Sequence, residues 1–142
     1  AASDVYKRQI INMPLLAQAA DVSPVRITDG STYTMTADSV INTGSNTTGI
    51  FVGYKDGGTI VGDNVNVTSD GYGIQIQTYA TGGVAGNGDC SIKLGKTIVE
   101  AKSSAVRVDS SSYGQKATVI LGAGSILNSS ANSAVYLSLI HI

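Results

Sequence analysis

The chain has 142 residues and a formal net charge of −1; 42% of residues are hydrophobic and 13% charged, with one Cys, one His and no Trp. That length holds one domain. The near-neutral balance argues against a nucleic-acid partner or a polybasic membrane patch, and a lone Cys90 and a lone His141 leave little for metal or imidazole chemistry. Val and Ile together number 28 against 7 Leu, beside 17 Gly, 17 Ser, 13 Thr and 8 Asn, a balance that favours strands and turns over helices.

The ends come first in chain order. Residues 1–9, Ala-Ala-Ser-Asp-Val-Tyr-Lys-Arg-Gln, can be encoded by GCA GCG TCA GAT GTG TAT AAG AGA CAG. Residues 137–142, Leu-Ser-Leu-Ile-His-Ile, can be encoded by CTG TCT CTT ATA CAC ATC, the reverse complement of the last six of those codons. Both strings resemble a transposase mosaic-end sequencing adapter read through as coding sequence, so 1–9 and 137–142 are expected to be translated adapter. Without them Lys+Arg falls from 9 to 7 (Lys7 and Arg8), Asp+Glu from 10 to 9 (Asp4), and the only His is lost.

Residues 10–19 follow, Ile-Ile-Asn-Met-Pro-Leu-Leu-Ala-Gln-Ala, an apolar stretch closed by the small-x-small triplet Ala17-Gln18-Ala19. This is the expected tail of a truncated secretory signal, cleaved before Ala20. The remaining unit is 20–136. An exported chain with one Cys has no disulfide framework. Cys90 is expected to be a buried apolar filler, since nothing basic stands by to activate it.

From Tyr33 onward three short elements recur in a constant order. Tyr33-Thr34-Met35, Asp38-Ser39-Val40-Ile41 and Gly49-Ile50-Phe51-Val52 make the first round. Thr59–Gly62, Asp63–Val67 and Gly73-Ile74-Gln75-Ile76 make the second; a Gly-rich loop over Tyr79–Asp89 comes next. Ile92–Gly95, Lys96–Val99 and Ala105-Val106-Arg107-Val108 form the third, and Val119–Gly122, Gly124–Leu127 and Ala134-Val135-Tyr136 the fourth. The last element of each round has one pattern: small, β-branched, any, apolar. Its anchors Ile50, Ile74, Val106 and Val135 lie 24, 32 and 29 residues apart.

Alternation with period two puts Ile50, Val52, Ile74, Ile76, Val106, Val108 and Val135 on one face, and Gln75, Gln77, Arg107 and Asp109 on the other. Strands this short cannot bury an apolar face alone. Stacking each round on the next closes a continuous core, which predicts a parallel β-solenoid with Ile74 between Ile50 and Val106. Two-residue hairpin turns, which an antiparallel sandwich would need, are scarce. Asp29-Gly30, Asp56-Gly57, Asp70-Gly71 and Asn87-Gly88 fit corners instead.

Thr28–Thr34, Gly49-Ile50-Phe51-Val52 and Gly58-Thr59-Ile60-Val61-Gly62-Asp63-Asn64-Val65-Asn66-Val67 together resemble the passenger region of bacterial autotransporters, over about 20–136. The resemblance implies an all-β, right-handed parallel β-helix of about four coils with three short strands per coil. It implies export, display at the bacterial cell surface or release, and a stalk or adhesive role. The implied partners are cell-surface ligands, glycan or protein, and a translocator β-barrel of the same polypeptide. The alternative is a set of non-catalytic coils from an extracellular polysaccharide lyase or hydrolase of β-helix fold.

Catalysis on such a face needs paired carboxylates. The outward positions beside the anchors are Phe51, Gln75, Arg107 and Tyr136, then Gly53, Gln77 and Asp109, with a single acid among them. Asp38 and Asp63 are expected to stack at another corner, but Lys96 and Gly124 continue that row, so they read as turn caps. Gly86-Asn87-Gly88-Asp89 occurs once and reads as loop. No catalytic, cofactor or metal site is therefore expected, and no nucleic-acid platform. Any recognition surface is expected at Phe51, Gln75, Arg107 and Tyr136, because aromatic and Arg side chains are common interface anchors.

Overall fold

The structure, a computed structural model, describes residues 9–12, 23–35, 38–44, 47–54, 56–78, 88–110 and 115–139. Outside them lie 1–8 and 140–142 of the two terminal strings, 13–22 (which holds most of the expected signal tail), and 79–87 of the long loop.

Among the described residues the strands in chain order are β1 (Gln9–Asn12), β2 (Val25–Ile27), β3 (Thr32–Met35), β4 (Ser39–Asn42), β5 (Ile50–Gly53), β6 (Gly58–Gly62) and β7 (Val65–Ser69). They continue as β8 (Ile74–Gln77), β9 (Cys90–Leu94), β10 (Thr97–Ala101), β11 (Val106–Ser110), β12 (Ala117–Leu121), β13 (Ile126–Ser129) and β14 (Val135–Leu139). Each sheet takes every third strand, in the orders β1-β4-β7-β10-β13, β2-β5-β8-β11-β14 and β3-β6-β9-β12. Every pairing is parallel. This is an all-β parallel solenoid with three strands per coil, and the predicted register holds: Ile50 pairs with Ile74, Ile74 with Val106, and Val106 with Val135.

The core follows from the alternation. Ile50, Val52, Ile74 and Ile76 meet Ile41, Val67 and Val99 of one neighbouring sheet and Ile60 and Ile92 of the other, all fully buried. Burying an Ile or Val side chain contributes about 1.5–3 kcal/mol, and coil stacking is what makes that burial possible. The small residue before each anchor has a steric cause. Ile50 N donates to Gly73 O (2.9 Å), Ile74 N to Ala105 O (2.8 Å) and Val106 N to Ala134 O (2.9 Å), so these residues stack directly at the corner. A Cβ on Gly49 would lie 2.6 Å from Val67 Cγ1, and one on Gly73 would overlap Val99 Cγ1.

Three features depart from the sequence reading. β2 adds Val25-Arg26-Ile27 beneath β5, a strand the repeat pattern omits because Pro24 replaces the small residue. β1, which straddles the two N-terminal segments set apart above, pairs with β4. Val135 occupies the inward register but is 49% exposed, since no described strand lies over β14. The last strand continues beyond Tyr136 to Leu139.

Candidate functional site

The outward row on the β2-β5-β8-β11-β14 sheet runs Arg26, Phe51, Gln75, Arg107, Tyr136, one residue per coil in register. The four residues expected from sequence are thus brought together, and Arg26 joins them. Val25-Arg26-Ile27 carries the same apolar-x-apolar signal as the anchors, so it could have been found once the small residue was relaxed.

Arg107 is the centre of the upper half. Its Nε and Nη2 donate to Asp109 Oδ2 (2.6 Å) and Oδ1 (3.1 Å), and Nη1 donates to Tyr72 Oη (2.6 Å). The guanidinium carbon stands 4.8 Å from the ring centroids of both Tyr72 and Tyr136. Its hydrogen bonds to Asp109 push Arg107 above its ordinary pKa, partial burial opposes this, and the charge of Asp109 adds to the rise. Asp109 faces outward as expected but is only 4% exposed. Burying a carboxylate is tolerable here because both oxygens accept from a cation.

The lower half corrects the expectation for Phe51. It is on the outer face yet 4% exposed. The Arg26 guanidinium lies 4.6 Å from its ring centroid, and Tyr54 packs against it at 5.2 Å between centroids. Gly53, the next outward position, bears no side chain, and a Cβ there would sit 2.7 Å from Phe51 Cζ. The ring therefore folds down over Gly53 instead of presenting a face to a ligand. Tyr54 has φ of 67°, the left-handed region, which costs about 1–2 kcal/mol for a residue with a side chain. Contact with Phe51 and with Arg26 at 5.0 Å offsets that strain. Gln75 is half-buried and accepts a hydrogen bond from Thr48 Oγ1 (3.1 Å), while Tyr136 is 42% exposed.

Chemically the row is a chain of cross-coil links. Arg26 joins β2 to β5, Thr48–Gln75 joins the segment entering β5 to β8, Tyr72 reaches from before β8 to Arg107 of β11, and Arg107 meets Tyr136 of β14. Every coil step on this face carries a side-chain contact that the core does not supply.

Other candidates resolve as structure. Ser39 pairs with Val65, so Asp38 is level with Asn64 and the expected Asp38–Asp63 stack is not formed. Asn64 instead uses Oδ1 to accept Lys96 N (2.9 Å), and Asp89 Oδ1 accepts Lys116 N (2.9 Å). Cys90 is buried, and burial, with the charge of Asp89 second, pushes its thiol up to about 11. A thiol that stays protonated is a poor nucleophile. Comparison of the chain with protein-family models, with curated proteins and with solved structures gives no match.

Proposed function

We propose that this chain is a segment of a surface-displayed or secreted autotransporter passenger, acting as a non-catalytic stalk with an adhesive face. The observation that carries the reading is the side-chain link at every coil step between Arg26 and Tyr136. A rod that projects from a cell must resist peeling, and stacked repeats gain stability from each neighbour interface. In this reading the exposed part of the row, Tyr136 with Gln75 and the edge of Arg107, meets ligands on other cells. Phe51 and Asp109 hold the face in shape.

The test uses the full-length passenger displayed on cells. Tyr136→Ser with Gln75→Ser is expected to reduce adhesion while keeping the β-rich circular dichroism spectrum, with a melting temperature a few degrees lower because the Thr48–Gln75 and Arg107–Tyr136 links are lost. Adhesion equal to the parent would remove the adhesive part of the reading. A stalk role predicts separately that deleting residues 96–123, one coil in register, shortens the displayed rod without loss of export. Failure of export in that variant would count against it.

A further inference from the structure

We propose that a trough at the corner following the β1-β4-β7-β10-β13 sheet binds a neutral saccharide segment. Its biological role rests on the adhesive reading above; its chemistry does not. Glu100 of β10 is level with Thr68 on one side and Asn128 on the other. Two residues further on stand Asp70, Lys102 and Ser130, beyond the inward-register Ser69, Ala101 and Ser129. Two outward rows thus run along the stack with a groove of about 520 Å³ between them.

The trough is held open by its own corner. Ser69 Oγ donates to Thr47 O (2.6 Å) and accepts from Gly71 N (3.1 Å). Ser129 Oγ donates to Ser103 O (2.6 Å) and accepts from Asn132 N (3.1 Å). Backbone bonds from Lys102 N to Ser69 O and from Ala131 N to Lys102 O, both 2.9 Å, tie the three corners together. The backbone that carries the walls therefore needs little reorganisation to bind, which lowers the cost of association.

The wall chemistry selects the ligand. Asn128 Nδ2 donates to Glu100 Oε1 (2.7 Å), which leaves the second carboxylate oxygen and the Asn128 carbonyl as acceptors. Lys102 Nζ pairs with Asp70 at 3.4 Å and has further N–H donors. Acceptors beside a donor complement neighbouring hydroxyls, each of which both donates and accepts. Two carboxylates against one ammonium disfavour an anionic sugar, and the lining has no aromatic or large aliphatic side chain to hold an apolar ligand. The trough crosses the strands at about 4.8 Å per coil, so it follows an extended chain of rings and not a single compact one. Without an aromatic platform the affinity is weak, with Kd on the order of 1 mM, and many copies on a cell supply avidity.

Saturation-transfer NMR on the full chain tests this, with cellotetraose, maltotetraose and chitotetraose as neutral probes and tetragalacturonate as the anionic one. Transfer to at least one neutral probe is expected, weakened about fivefold by Asn128→Ala or Lys102→Met, a loss of about one hydrogen bond. Both positions are exposed, and unchanged melting temperatures show that the variants fold. No transfer from any neutral probe at about 10 mM, ten times the expected Kd, overturns the proposal. So does transfer that survives both substitutions, or a preference for tetragalacturonate. Saccharide binding by the chain with no adhesion by the passenger would sink the adhesive reading and leave the trough standing; adhesion without saccharide binding would do the reverse.

Discussion

Asp109 holds the guanidinium of Arg107, two residues earlier on the same strand, through both carboxylate oxygens at 2.6 and 3.1 Å. The carboxylate is nearly inaccessible while the Arg107 side chain keeps 29% of its exposure, so the charge that the structure most needs to neutralise is the acid. Arg107 in turn carries the contacts to Tyr72 and Tyr136.

Arg107→Ala is therefore expected to destabilise the chain by about 1–3 kcal/mol, because it leaves a buried carboxylate unpaired. Asp109→Ala should cost a similar amount, and the double variant less than the sum of the two. Urea unfolding of all four chains measures the coupling. Additive losses would mean that the two groups act independently, contrary to the geometry.

Gly73→Ala is expected to lower stability by about 1–3 kcal/mol by overpacking. The new methyl would overlap Val99 Cγ1 and lie 2.6 Å from Ala105 O. Val99→Ala should cost stability in the parent, yet much less in the Gly73→Ala background, since it removes the atom struck. Thermal melts of the four chains check the sign. An equal cost of Val99→Ala in both backgrounds would place the strain in the backbone contact alone.

Cys90 gives a pH dependence. Its folded pKa is raised from an ordinary 9.0 to about 11. A raised folded pKa means that the stabilisation is complete below pH 9 and is lost as pH rises through 9 to 11, where the unfolded thiol ionises first. The loss is on the order of 2 kcal/mol. The Cys90→Ala variant should lack this component, so the difference between the two chains' urea midpoints is expected to shrink steadily over that window. A constant difference would show that the thiol does not titrate differently on folding.

Five large apolar residues, Ile120, Ile126, Val135, Tyr136 and Leu137, are exposed on β12, β13 and β14, the last strand of each sheet. Unpaired strand edges with apolar side chains invite pairing with another chain. The 142-residue chain is expected to elute earlier from a size-exclusion column as its concentration rises. Val135→Lys with Leu137→Lys should restore concentration-independent elution. If both chains elute as monomers at all concentrations, the edge is harmless.

The repeat order and the facing of the strands were legible in the residues. Ile74-Gln75-Ile76-Gln77 and Val106-Arg107-Val108-Asp109 declare their faces by alternation, and the small residue before each anchor marks the corner where Gly73 meets Ala105. The coil stacking of Ile50, Ile74 and Val106 followed, because strands of four or five residues can bury an apolar face only against copies of themselves. Val25-Arg26-Ile27 escaped because it carries the alternation without the small residue.

Facing could be read from sequence because backbone geometry alone sends neighbouring side chains to opposite sides of a strand. Coverage could not. Phe51 and Asp109 point outward as the alternation requires, yet both are buried, one under Arg26 and Tyr54 and the other against Arg107. Arg26 and Phe51 are 25 positions apart in the chain and become neighbours only when β2 is laid beneath β5. The register that joins them, and the bare backbone at Gly53 that receives the ring, are relations between coils, and a local pattern does not contain the distance between one coil and the next.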